Sequence, residues 1–261
     1  MKRQNQNLNR HERRRTTRRM VTCALLCALA GLRRFYPQPF ELIAITVDMG
    51  FGAIEANQGK ELPADPYADI RALCERLEVP YHVVPSEIAR IIFDVRKEQN
   101  PCSLCAKLRR GALNNAAKEL GCNKIALGHH FSDVIETTLI GMFYSSQMSA
   151  MLPKLHSKNY EGMELIRPLY CVHEDDILSW VRYNGLSFLQ CACRFTENTE
   201  SGVSDSKRKE VKELIRTLRK DNPDIEISIF NSLHSVEINT FPGYKLEGKE
   251  HSFLEHYTDT D

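Results

Sequence analysis

The 261-residue sequence carries almost no net charge, +1 with histidine neutral, so no overall field draws it to nucleic acid. It also lacks an apolar run of membrane length, since residues 20–32 are too few to span a bilayer. Arginines precede that run as they would in a signal sequence. It continues directly into Arg33-Arg34, however, and a buried helix fits it better than a leader. There is no internal repeat. Only one C-x-x-C pair is present, Cys102 with Cys105, which disfavours a zinc module built from two such knuckles. Residues 1–19 contain no glycine and hold six arginines between positions 10 and 19; they read as a basic, disordered arm.

The composition that remains is that of a globular chain. Hydrophobic content of 42% and charged content of 26% suit one medium α/β domain with a small extension. Nine cysteines in this length do not resemble a secreted disulfide framework. They point to a reducing cytoplasm, where clustered thiols bind metal or carry out redox chemistry.

Strand and helix signals alternate along the chain. Glu41–Val47 is a short apolar run bounded by Pro39 and Asp48-Met49-Gly50, as expected of a strand buried on both faces of a parallel sheet. Ile70, Leu73, Cys74 and Leu77 form the stripe of an amphipathic helix. Tyr81–Val84, Lys124–Leu127 and Met163–Ile166 read as further strands. Helices are expected from Pro101 to about Leu120, from Asp133 onward, over Glu174–Tyr183, and around Val211–Leu218 in a charged segment. The tail after Pro242 reads as loose. This order predicts a parallel α/β sheet with ligands beyond the carboxyl ends of its strands, where Asp48 and Gly128-His129-His130 fall.

Asn100-Pro101 is a helix-start signal, and it places Cys102 and Cys105 in the first turn on nearly one face. The positive end of the helix favours thiolates there. Zinc, an iron–sulfur cluster and a redox pair all remain open for one C-x-x-C. The distant Cys191-Ala-Cys193 has the wrong spacing for a zinc knuckle, and three thiolates with an open position fit better. Cys191 is the expected third ligand and Cys193 the alternative. Cys23, Cys27, Cys74, Cys122 and Cys171 are expected in the core. His129 and His130 are placed to contact phosphate or a Mg²⁺-bound oxygen, unless one of them simply packs. Asp133-x-x-Glu136 also matches a capping box apart from its first residue type. Arg109, Arg110 and Lys207-Arg208-Lys209 read as solvated helix faces.

Asn100-Pro101-Cys102-Ser103-Leu104-Cys105, Ala126–Thr138 with its Gly128-His129-His130-Phe131-Ser132-Asp133 core, Ile166-Arg167-Pro168-Leu169 and Cys191-Ala192-Cys193-Arg194-Phe195-Thr196 together resemble the TtcA family. Those are tRNA 2-thiocytidine synthetases of the PP-loop ATP-pyrophosphatase superfamily, and the resemblance covers roughly residues 24–200. It implies an α/β, Rossmann-like fold of the adenine nucleotide alpha hydrolase type. It implies adenylation by ATP with Mg²⁺ of a cytidine C2 oxygen in the tRNA anticodon loop, then replacement of that oxygen by sulfur. A 4Fe-4S cluster on Cys102, Cys105 and Cys191 would take part. Thr46, Val47 and Asp48 would line the adenine side; Gly128, His129, His130 and Asp133 would line the phosphate side, with Asp133 and Cys191 in catalytic roles. The partners implied are tRNA and a sulfur donor, either a cysteine desulfurase or a persulfide. No membrane is involved, and a homodimer is allowed.

Two departures stand out. The family's Asp-Asp pair is Ser132-Asp133 here. The superfamily's Ser-Gly-Gly-x-Asp-Ser loop, expected just before the helix near Met20, is absent together with the apolar strand that should precede it. In the superfamily that strand is central, so its loss should leave two interior strand edges unpaired. The expectation is that the N-terminus is a frameshifted or misassigned reading, because GGC-GGC glycine codons read out of frame yield the arginine codon CGG. Three segments are expected: a basic arm over 1–19, the PP-loop thiolase domain over 20–200, and a charged helix with a loose extension over 201–261. The alternatives are a loop-deficient cluster protein that binds tRNA without activating it, or another PP-loop tRNA-modifying enzyme.

Overall fold

The computed structural model describes residues 20–52, 65–96, 101–186, 203–255 and 257. The arm at 1–19 and the Cys191-Ala-Cys193 group lie outside the described residues. The chain divides into two compact units, one of residues 1–134 with 151–206 and the other of residues 135–150 with 207–261.

The first unit opens with helix α1 (20–32), which is apolar nearly all round because it is buried on two sides. Val21, Ala24 and Leu25 pack against Leu169, Ile177 and Val181. Cys23, a quarter-turn away, packs with Leu73. Each fully buried aliphatic side chain here contributes about 1.5–3 kcal/mol. Strand β1 (Ala44–Asp48) runs parallel to β2 (Tyr81–Pro85), with Ala44 opposite Tyr81 and Asp48 opposite Pro85. Helix α2 (Ala68–Arg76) connects them and buries Leu73 and Cys74. Helix α3 (Pro101–Glu119) starts at its proline, as the missing N–H of that residue allows.

Strand β3 (Lys124–Ala126) is parallel to β5 (Glu164–Ile166), and β4 (Lys154–His156) is an antiparallel edge on β5. Ile125 is buried with Ala117 of α3 and Met163, and Ile45 of β1 packs on the same cluster. β1 and β3 therefore share a core. Among the described residues, however, no ladder joins them: the strands form a β1–β2 pair and a separate β3–β5–β4 sheet. The parallel α/β class stands, with β4 as an antiparallel edge that the sequence did not signal. Helix α5 (Glu174–Tyr183) buries Ile177 and Val181 against α1.

Helix α4 (Phe131–Ser145) gives its first turn to the first unit and the remainder to the second. The second unit also holds α6 (Val203–Asp221) from Lys207 onward, α7 (Ile225–Ser232), and a hairpin of β6 (Gly243–Leu246) with β7 (Lys249–Ser252). The tail expected to be loose thus carries paired strands. Glu136 on α4 is buried, and two cations of α6 close on it: Arg208 Nη1 at 3.0 Å from Oε2 and Lys212 Nζ at 3.4 Å from Oε1. Lys207 lies 4.9 Å above the Tyr144 ring, and the Tyr144 hydroxyl donates to Glu210 at 2.6 Å. Arg208 and Lys207 are therefore not on a solvated face as expected; a buried carboxylate and an aromatic ring hold them.

Candidate functional site

The carboxyl end of β1 is a locked turn. The Gly50 N–H donates to Asp48 Oδ1 at 2.9 Å, and the Ser86 hydroxyl donates to the Asp48 carbonyl at 2.6 Å. Gly50 sits at φ +78°, and a Cβ there would stand 2.8 Å from the Ser86 carbonyl oxygen, so glycine is required twice over. Thr46 accepts a hydrogen bond from the Tyr81 hydroxyl at 2.9 Å, and Val47 is paired with Val84. Asp48 and Thr46 each have a structural partner at the rim where the adenine side is expected.

The end of β3 meets the start of α1. A Cβ on Gly128 would lie 3.2 Å from Val21 Cγ1 and 3.5 Å from Thr22 Oγ1, so the strand end comes into close contact with the helix's first turn. That first turn is the positive end of the helix, a natural anion site when backbone N–H groups face it. His129 and His130 then diverge. His129 Nδ1 accepts from Arg167 Nε at 3.3 Å. His130 is buried, with Nε2 3.3 Å from Asp133 Oδ2 and 3.9 Å from Glu174 Oε1. The Phe131 and His173 rings lie 4.1 Å apart between centroids and close the same corner.

Helix α4 begins two residues before Asp133. Asp133 is thus its third residue, and its Oδ2 accepts the His130 backbone N–H at 3.3 Å. This is the backward half of a capping box with His130 as the cap. Glu136, expected as part of the box, is instead the buried acid of the α6 ion pairs.

Cys102 and Cys105 fall in the first turn of α3, and Cys105 is half-buried. The side chain of Cys102 and all of Cys191 lie outside the described residues. Among the described residues no group of three or more His, Cys, Asp or Glu side chains is placed to hold a metal ion. The other thiols differ from one another. Cys23 and Cys74 are buried, Cys27 and Cys122 are half-buried, and Cys171, expected in the core, is exposed. Burial pushes the Cys27, Cys74 and Cys122 thiols up, which holds them protonated and makes them poor ligands. Cys105, by contrast, sits half-buried at a helix start, whose dipole favours the thiolate form.

The Ile-Arg-Pro-Leu motif by itself gives Arg167 no role. Its position directly after a strand was the available signal. The structure brings it to His129 at the same rim, and burial, with the charge of Arg110 adding to it, pushes its pKa down.

Two short parallel ladders with glycine turns at their carboxyl ends, beside a helix start, define a nucleotide-binding-type α/β protein of the PP-loop class, and a model of the PP-loop domain matches residues 22–195. The tRNA-cytidine(32) 2-sulfurtransferase of Geobacter sulfurreducens is 33% identical over 224 residues, spanning 85% of this chain and 79% of its own. Its counterpart in Syntrophotalea carbinolica is 36% identical over 214 residues, spanning 82% of this chain and 76% of its own. The chain belongs to this TtcA family of PP-loop proteins. Among solved structures, the U34-tRNA thiolase NcsA from Methanococcus maripaludis, with its 4Fe-4S cluster, aligns at a TM-score of 0.60. It covers 84% of this chain and 70% of its own at 22% identity, a likeness of fold. No helix among the described residues is long and apolar enough to cross a membrane.

Proposed function

We propose that this chain is an ATP-dependent tRNA sulfur transferase that forms 2-thiocytidine in the anticodon loop. The observation that carries the reading is the close approach of Gly128 to the first turn of α1, which sets a bare strand end against a positive helix end. There the phosphates of ATP, with Mg²⁺, would sit, and the adenine would lie toward Thr46, Val47 and Asp48. The C2 oxygen of the cytidine attacks the α-phosphorus, and pyrophosphate leaves. A sulfur nucleophile then adds at C2, and AMP departs with the original oxygen. An amide-like oxygen is a poor leaving group, and adenylation makes it a good one. Cys102, Cys105 and Cys191 would hold a 4Fe-4S cluster, which would supply a binding place for the incoming sulfur. Asp133 holds the turn between β3 and α4 so that Gly128 and His129 stay at the rim. The sulfur would come from a cysteine desulfurase or a persulfide.

Anaerobic reconstitution with iron and sulfide tests the ligand set. Loss of visible absorption in Cys102→Ser, Cys105→Ser and Cys191→Ser, with Cys193→Ser unaffected, is the expected pattern. A colourless zinc protein rejects it. Nucleoside mass spectrometry of tRNA incubated with the chain, ATP and sulfide tests the reaction. A second reading is favoured by the unpaired β1 and β3 edges among the described residues: the chain binds tRNA without activating it. ATP–pyrophosphate exchange separates the two, since intact tRNA binding with no exchange selects the second.

A further inference from the structure

Helix α6 carries seven cations and two acids between Lys207 and Lys220, while the whole chain nets only +1. At about 100° per residue, six of those seven cations, Arg208, Lys209, Lys212, Arg216, Arg219 and Lys220, fall in one sector of roughly 120°. Arg208, Lys212, Arg216 and Lys220 also follow one another at spacings of four, where like charges repel. The helix gains nothing of its own from such a row, so the row calls for anions.

Part of it is answered inside the second unit. Glu136 takes Arg208 and Lys212, and Glu226 of α7 lies 3.4 Å from Arg219. The outer part is not answered in this way. Lys209, Arg216 and Lys220 are exposed and lie within about 40° of one another, on the face turned away from buried Val211 and Ile215. Arg216 meets Glu213 at 3.3 Å, but the two side chains are 64% and 63% exposed, so water screens the pair. Among the described residues neither Lys209 nor Lys220 has an acid partner.

From Lys209 to Lys220 this stripe is about 16 Å long. The apolar side chains that α6 exposes, Leu214 and Leu218, fall outside it. A protein partner favours an apolar centre and few lysines. A nucleic-acid backbone needs spaced cations and no apolar contact. The composition of the stripe therefore fits a polyphosphate chain.

We propose that Lys209, Arg216 and Lys220 form a docking stripe on the second unit for the phosphate backbone of the RNA substrate. This rests on the reading of tRNA as the substrate. The stripe reads no base; it supplies affinity and fixes the orientation of the bound RNA.

The test is equilibrium binding of an unmodified tRNA transcript to the full chain from about 50 to 300 mM salt. The variants are Lys209→Gln, Arg216→Gln, Lys220→Gln and the three combined, with exposed Lys158→Gln as a control outside α6. Each single variant should lose about 2- to 5-fold in affinity and about 0.7–0.9 in the slope of log affinity against log salt. The triple variant should lose about 2–3 in slope. Arg216→Lys should keep the slope, because it keeps the charge. Glu213→Gln should tighten binding about 2- to 3-fold, because it removes the acid beside the stripe. All the substituted side chains are exposed, so the fold is kept and thermal melts verify it. A triple variant with the parent's affinity and slope, while the parent binds tRNA, overturns the stripe and leaves the substrate reading intact. An equal loss of slope in Lys158→Gln marks a diffuse charge effect and also overturns the stripe. A parent chain that binds no tRNA overturns both.

Discussion

Glu136 offers the sharpest test of the second unit. Its side chain is 4% exposed, while those of Arg208 and Lys212 are 30% and 25% exposed. Removing one partner of a fully buried pair costs about 3–5 kcal/mol, because the remaining charge loses its compensation. Here the stranded groups are cations with partial access to water, so the cost of Glu136→Gln should fall to about 2–3 kcal/mol. In a chain of this size that lowers Tm by roughly 5–10 °C. Circular dichroism melts of Glu136→Gln, Arg208→Met and the double variant should give a coupling energy above about 1 kcal/mol. Hydrogen exchange in α6 should quicken in the single variants. A Tm within about 2 °C of the parent, with additive single effects, would refute the clamp and return Arg208 to the solvated face that its sequence suggests.

Three further outcomes are expected. Gly50→Ala should destabilise by about 1–3 kcal/mol, because it combines a positive φ with a Cβ pressed on the Ser86 carbonyl; urea midpoints measure it, and a neutral effect would deny that the turn is locked. Alkylation followed by peptide mass spectrometry at pH 8 should label exposed Cys171 before Cys27, Cys74 and Cys122, whose thiols burial pushes up; equal rates would contradict that burial. The Lys124 ammonium holds Glu164 below the ordinary glutamate range, with Lys154 and His156 adding to the effect. A depressed carboxylate gives stability that is present above its unfolded value, near ~4.3, and is lost as pH falls through the folded one. Glu164→Gln should therefore flatten the acid limb of the urea midpoint below about pH 5, and an unaltered limb would rule out this contribution.

The first unit was largely legible because its signals are local. Period-2 and 3.6 patterns, Asn100-Pro101 at the start of α3, and glycines after β1 and β3 each act within a few residues. What sequence could not give is which polar residues meet. Asp133-x-x-Glu136 looks like one cap, yet Asp133 reaches back to His130 while Glu136 is buried against cations some 70 positions on, at Arg208 and Lys212. Arg167 joined His129 through strand pairing, which the motif alone does not state. The β6–β7 hairpin escaped notice because its strands are polar and its turn is Glu247-Gly248, both at positive φ, rather than the usual Asn-Gly.

Among the described residues, the edges of β1 and β3 that carry no ladder also constrain direction. Both strands run with their carboxyl ends toward the rim of Asp48 and Gly128, so a strand laid parallel to them must finish there too. Gly128 is where α1 begins. Among the described residues the gap between the two ladders has a polarity, and an antiparallel chain on either edge would run against it.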